Sequence, residues 1–152
     1  MTPTLGFEPE TTLSKLQVAH IQLNDAIDLF VQQHFLSSLT LAGAAEEIFG
    51  KILGTHGQRS AIDESLFFID QIRTEKGIKI GGNQTNSQLK KGWNKVRNNV
   101  KHHNVDDGQE ITVNLCDEAY WMIRRALENA VKLGQKIDAS QDFERWIIQN
   151  IN

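Results

Sequence analysis

The chain has 152 residues, 39% of them hydrophobic, which is enough to bury the core of one domain, 1–152, without disulfides or metal. Cys116 is the only cysteine, and its apolar neighbours in a helical pattern favour a reduced, structural thiol. The formal net charge of −3 argues against a generally basic nucleic-acid coat.

The first predicted element is a long helix. Residues 1–12 before it lack the basic and apolar regions of a signal peptide, and we expect 1–11 to form an N-terminal tail. No stretch of the sequence approaches about 18 consecutive apolar residues, so we expect no membrane segment. We therefore expect a cytoplasmic protein. From position 13, five apolar residues and two histidines recur at alternating steps of three and four, which predicts a helix capped by Thr11 or Thr12. They are Leu13, Leu16, His20, Leu23, Ile27, Phe30 and His34.

Two further helices follow closely. The second has one apolar stripe, is expected to stop at Gly54 and should pair antiparallel with the first; its small run Ala42–Ala45 permits close approach to a neighbour. The stripe residues are Leu39, Ala42, Phe49 and Leu53. Ser60 with Asp63 predicts the cap of a third helix, which stops at Gly77 before a loop over 78–86.

Asn86 predicts the cap of a fourth helix, which places Leu89, Trp93, Val96 and Val100 inwards and ends near Asn104. Residues 110–113 are interpreted as a short extended connector. Asn114 with Asp117 caps a fifth helix that runs to Gly134, and Ser140 opens a short C-terminal helix over 141–152. The predicted architecture is all-α, an up-and-down bundle of four main helices with one or two short ones, more than half of the residues being helical.

The end of the fourth helix carries the most specific pattern, Arg97-Asn98-Asn99-Val100-Lys101-His102-His103. An arginine can hold a phosphodiester bidentately, and a histidine can exchange a proton with its ester oxygens. On a regular helix His102 lies about 140° from Arg97, and His103 about 120° away on the other side. Either the helix therefore breaks after Val100, or a second copy of the chain completes the site.

A local run of positive charge surrounds this pattern. Residues 76–105 contain no Asp or Glu but hold seven of the sixteen basic residues, which indicates a locally bound anionic ligand. We interpret Lys90, Lys91, Lys95 and Lys101 as the anion-binding lysines; the alternative is a solvated helix face.

Glu46 shares the apolar stripe of the second helix, and a carboxylate on a core face needs a partner. It either orients a group of the motif, such as Asn98, Lys101 or a histidine, or lies at the rim with its tip in water. Glu47 with Lys51 is interpreted as an exposed helix pair.

Other polar residues have simpler interpretations. His20 and His34 are expected to be core or rim histidines, and Asp106-Asp107-Gly108 is a turn, so we predict no metal and no cofactor. Trp121 lies on the polar side of the fifth helix, beside Asp117, Arg125 and Glu128, and is either an oligomer contact or an edge-covering side chain. The chain has no P-loop, dinucleotide fingerprint, GxSxG elbow or kinase motifs, which removes the main nucleotide-hydrolysing and acyl-transfer classes.

With these residues in view, the chain resembles the HEPN superfamily of small helical-bundle domains from prokaryotic toxin-antitoxin, defence and RNA-processing systems. The family signature is an arginine, usually a polar residue after it, and a histidine four to six positions on. Arg97-Asn98 fits it with either His102 or His103. The general likeness covers roughly 13–133, and the stretch 41–47 is similar to uncharacterised bacterial members.

The resemblance implies a metal-independent endoribonuclease that acts as a homodimer with the two motifs facing one another. His102 would be the acid or base, Arg97 would stabilise the phosphorane, and Asn98 would hold the geometry. Many relatives are catalytically silent, so the second class is a non-catalytic module that binds an anionic ligand, an RNA, or a protein partner such as an antitoxin.

Overall fold

The computed structural model describes residues 5–151, and this part of the chain is helical without any strand. It contains α1 (Lys15–Val31), α2 (Phe35–Thr55), α3 (Ala61–Lys76), α4 (Asn86–Trp93), α5 (Lys95–Lys101), α6 (Leu115–Lys132) and α7 (Ser140–Asn150). The predicted all-α class is confirmed, and 67% of the described residues are helical. Residues 1–4 of the predicted tail and residue 152 of the predicted C-terminal helix lie outside the described part.

Two of the predicted helix caps are confirmed and two are wrong. The side chains of Ser60 and Asn114 accept the backbone N–H three residues on, as expected. However, α1 is capped by Ser14 rather than Thr11 or Thr12, and α4 by Thr85 rather than Asn86. In both helices, the side-chain oxygen of a glutamine three residues later accepts a hydrogen bond from the backbone N–H of the capping residue. This reciprocal capping box determines which residue caps the helix.

The core forms where α2 packs against α1 on one side and α6 on the other. The Ser38 hydroxyl donates to the Ala26 carbonyl across the α1–α2 turn, as an antiparallel pair requires. The largest fully buried side chains include Phe30, Phe49 and Phe143, each contributing about 1.5–3 kcal/mol by burial. Gly54 does not stop α2, which continues to Thr55, whereas Gly77 ends α3 in the left-handed conformation, as predicted.

The predicted fourth helix breaks into α4 and α5 at Asn94. This residue is buried, with φ −100° and ψ 0°, and its side-chain oxygen accepts a hydrogen bond from Arg125 at 2.8 Å. The break gives the bundle a third short helix and directs α5 along α2, with Val96 and Val100 against the core. The helix ends at Lys101, earlier than the predicted end near Asn104.

The remaining connections are irregular. Residues 110–113, interpreted as an extended connector, form no strand. Within residues 5–151, none of the helices combines the length and the apolar character needed to cross a membrane.

Candidate functional site

Glu46 is a buried carboxylate held by two arginines. It is 4% exposed; one of its oxygens accepts from Arg97 Nη1 at 3.0 Å and the other from Arg125 Nη2 at 2.8 Å. The interpretation of Glu46 as a rim carboxylate with its tip in water is therefore wrong. Its partner within the motif is Arg97 rather than Asn98, Lys101 or a histidine, because the break at Asn94 brings the start of α5 against this part of α2.

Asn129 ties this cluster to the bundle. Its side chain is fully buried, donates to the backbone carbonyl of Glu46 at 3.2 Å and accepts the backbone N–H of Ala61 at 2.7 Å. One amide thus links α2, α3 and α6, and it satisfies the Ala61 N–H at the start of α3, which would otherwise cost about 1–3 kcal/mol if left unpaired. The sequence held a signal for it, because Asn129 lies three residues after Ala126 on the apolar stripe of α6.

Arg125 was interpreted from the sequence as lying on the polar side of α6, and this is wrong. Its side chain is 18% exposed and reaches both Glu46 and Asn94 through Nη2. Its Nε is buried without a hydrogen-bond partner. The residue lies just beside the stripe that contains Met122 and Ala126, so a long side chain can turn inwards when a buried carboxylate receives it.

Gly43 makes room for Arg97. The aliphatic stem of Arg97 crosses α2 so closely that a Cβ at position 43 would lie 2.7 Å from Arg97 Cδ and 2.8 Å from Cγ. At Gly43, within the small run Ala42–Ala45, the group that approaches α2 closely is therefore the side chain of Arg97.

Replacing Gly43 by Ala is expected to lower the free energy of unfolding by about 1–3 kcal/mol, because Arg97 is tied to Glu46 at its far end and cannot swing aside. Gly54→Ala is the matched control in the same helix, since its Cβ would meet open space. That control should stabilise by about 0.5–1 kcal/mol through helix propensity. Denaturant unfolding of both variants checks this, and equal stabilisation would contradict the crossing of Arg97 over Gly43.

The two histidines lie beyond the end of α5. His102 has left helical geometry, with φ −132° and ψ 147°, yet its backbone N–H still donates to the Asn98 carbonyl at 3.0 Å. Both histidines are exposed, and neither side chain makes a hydrogen bond within the described residues. The helix thus ends one residue later than the predicted break after Val100, while a site completed by a second copy stays a prediction.

Asn98 is exposed next to Arg97, and its side-chain oxygen accepts from Arg97 Nε at 3.4 Å. The structure thus brings together three of the predicted site residues, Glu46, Arg97 and Asn98. It leaves His102 and His103 at the neighbouring helix end.

The four predicted anion-binding lysines differ in their surroundings. Lys90 pairs with Asp63 at 2.8 Å, and Lys101 lies 3.9 Å from Glu47, which also pairs with Lys51 at 2.8 Å as predicted. Lys91 and Lys95 are exposed and form no ion pair within the described residues. Only these two are therefore free of a carboxylate partner, which makes the basic run less positive than the sequence suggests.

These ion pairs perturb the carboxylates. The hydrogen bond from Lys51 is the main cause that lowers the pKa of Glu47, helped by the charges of Lys51, Arg97 and Lys101 and opposed by burial. Burial raises the pKa of Asp63, but the hydrogen bonds and charge of Lys90 and the Ser60 hydroxyl outweigh it, so the pKa stays below its usual value. Both acids are thus held in the charged form that their lysines require.

The remaining polar residues discussed from the sequence lie outside the Glu46 cluster. His20 is half-buried in α1, and His34 is exposed at the start of α2. Asp107 accepts hydrogen bonds from the backbone and side chain of Asn104, as a turn there requires. In residues 5–151 no three His, Cys, Asp or Glu side chains lie close enough to hold a metal ion together.

Two residues discussed from the sequence lie in α6. Burial, with the charge of Asp117, raises the pKa of the Cys116 thiol and so disfavours the thiolate. Trp121 is 61% exposed and stacks edge-on against Tyr120.

Comparisons with family models, curated proteins and solved structures gave no match to this chain.

Proposed function

We propose that this protein is a HEPN-type, metal-independent endoribonuclease that acts as a homodimer. The observation that carries the proposal is the fixed guanidinium of Arg97, held by the buried Glu46 one turn before the helix end at His102. A guanidinium has five N–H donors. Glu46 and Asn98 engage one each, so three remain for the oxygens of a phosphate.

The chemistry follows from these roles. A neutral histidine takes the proton of the RNA 2′-hydroxyl, and the oxygen attacks the adjacent phosphorus. The P–O5′ bond then breaks, the leaving 5′-oxygen takes up a proton from a histidine, and the products are a 2′,3′-cyclic phosphate and a 5′-hydroxyl. Arg97 stabilises the charge that develops on the phosphorane oxygens, and Asn98 keeps Arg97 oriented.

The proposed homodimer places α4 and α5, or the turn after them, near a two-fold axis, so that each motif faces its twin. Two copies of the basic run repel one another until an anion offsets the charge. Phosphate, sulfate or RNA is therefore expected to strengthen the association.

A second class is favoured by a specific observation. The Arg97 side chain is only 11% exposed, and its charge is already paired with Glu46. Such a residue also suits a non-catalytic module, in which the ion pair stabilises the fold and the exposed lysines bind RNA or a protein partner such as an antitoxin.

Purified protein incubated with mixed RNA in EDTA is expected to cleave it, and Arg97→Ala should reduce the rate at least about 100-fold because transition-state charge goes unstabilised. Lys136→Ala, at an exposed lysine outside the basic run, is the control and should keep the rate within a few-fold. Circular dichroism checks that the variants are folded. We expect Arg97→Ala to fold because Glu46 keeps its ion pair with Arg125.

The outcomes separate the two classes. Cleavage that needs a divalent metal, or that survives Arg97→Ala, contradicts the proposed mechanism. RNA binding without any cleavage selects the non-catalytic module.

A further inference from the structure

A groove of about 630 Å³ opens beside the Glu46 cluster. It is lined by Asn94, Arg97 and Arg125, and by Ser60 and Ile62 at the start of α3. Gly50 and Gly54 of α2 also line it, and the absence of a side chain at Gly54 leaves open space there. The groove has the size range of small-ligand sites, which hold about 300–1,000 Å³.

The charges that line this groove do not cancel. The cations are Lys51, Lys90, Arg97 and Arg125, and the carboxylates are Glu46, Glu47 and Asp63. Two lysine–carboxylate pairs are closed at 2.8 Å, which leaves the two arginines to share Glu46. The lining therefore carries one net positive charge, which favours an anion there; Glu118, outside the groove, offsets part of the charge of Arg125.

The first turn of α3 adds backbone N–H donors, which also favour an anion. In this 16-residue helix the N–H of Ala61 is taken by Asn129 and that of Asp63 by Ser60. The N–H of Ile62 has no acceptor within the described residues, and Ile62 lines the groove. A helix N-terminus favours negative charge, so it reinforces the arginine pair.

We propose that this groove is a phosphate-binding subsite in which Arg125 binds one phosphate group near the first turn of α3, while Arg97 stays with the phosphate that is cleaved. Arg125 is then a ligand-binding residue and not only a partner of Glu46. The groove is larger than a phosphate and has space for an attached ribose.

The source of the phosphate is inferred to be an RNA strand, and this part rests on the proposed function. His102 and His103 do not line the groove. A phosphate bound there is therefore not the one that the histidines of the same chain would cleave, but another phosphate of the strand.

Thermal melting tests the site with inorganic phosphate as the probe, against chloride at equal ionic strength. Phosphate at about 100 times its dissociation constant is expected to raise the Tm by roughly 5–11 °C. Arg125→Gln should abolish most of this rise, because it removes the net positive charge of the lining while Glu46 keeps Arg97.

A steric variant keeps the test independent of the ion pair. Gly54→Leu places an apolar side chain in the groove from α2, at a position where a Cβ meets nothing within 4 Å, and should also abolish the rise. Gly92→Leu is the matched control, since its Cβ likewise meets open space but Gly92 does not line this groove. An absent rise in the unaltered protein, or an equal rise in Gly54→Leu and Gly92→Leu, overturns the proposal.

A 2′-O-methyl oligoribonucleotide, which lacks the nucleophile and cannot be cleaved, distinguishes the sources. Weaker oligonucleotide binding in Gly54→Leu, by about 10-fold or more relative to Gly92→Leu, supports RNA as the source. Unchanged oligonucleotide binding with a lost phosphate response overturns RNA and leaves free phosphate as the ligand. Neither thermal melting nor oligonucleotide binding involves cleavage. A protein that does not cleave RNA would therefore contradict the proposed function without affecting the test of the phosphate subsite.

Discussion

Glu46→Ala is expected to lower the free energy of unfolding by about 3–5 kcal/mol, the largest effect of any single substitution that we predict on stability. The change removes the carboxylate that joins Arg97 and Arg125, whose side chains are only 11% and 18% exposed. Denaturant unfolding at neutral pH measures the loss.

Glu47→Ala is the neighbouring control. Its side chain is 37% exposed and pairs with Lys51, so solvent screens the interaction and we expect a loss below about 1 kcal/mol. A similar small loss at position 46 would contradict the buried bridge.

A triple replacement separates stability from function. Glu46→Leu with Arg97→Met and Arg125→Met removes every charge of the bridge, and such replacements are often neutral or stabilising. We expect most of the stability lost in Glu46→Ala to return. The bridge would then be a poor device for stability alone, which favours a role in holding Arg97 and Arg125 for a ligand.

The sequence predicted most of the fold because apolar spacing and caps are local signals. Ser60 and Asn114 were identified as caps from the residues that follow them. The errors at Ser14 and Thr85 arose where neighbouring capping residues compete. There the reciprocal bond from Gln17 or Gln88 decides the helix start.

The break at Asn94 was not predictable from local pattern. Leu89, Trp93, Val96 and Val100 fit one continuous helix, and the side chain that stabilises the break, Arg125, lies 31 positions away. Arg125 in turn appeared to be a surface residue because Glu46 lies 79 positions before it.

Glu46 was identified from the sequence because a carboxylate on an apolar stripe needs a partner. The stripe does not indicate which residue the partner is. The identity of its partners depended on the direction of α5, and so on the break.

His102→Ala is expected to reduce RNA cleavage by about 100- to 10,000-fold, the usual contribution of a positioned acid or base. The motif spacing leaves His102 and His103 as alternatives, but the structure favours His102. Its backbone N–H remains bonded to Asn98, which fixes its position relative to Arg97, whereas His103 has no such bond in the described part of the chain. His103→Ala is the matched control and should lose less than about 10-fold; the reverse ranking would assign the role to His103.

Mixing two inactive variants then tests whether the site spans two copies. If Arg97 of one copy works with His102 of the other, a heterodimer of Arg97→Ala and His102→Ala contains one intact site. An equimolar mixture that has exchanged subunits should recover about a quarter of the wild-type rate, since half of the dimers are mixed and each has one working site of two. A site within one chain recovers nothing, because neither variant holds both residues. Sedimentation with and without sulfate provides the necessary reference: a strict monomer under both conditions rules out the shared site and requires Arg97 and His102 to meet within a single chain.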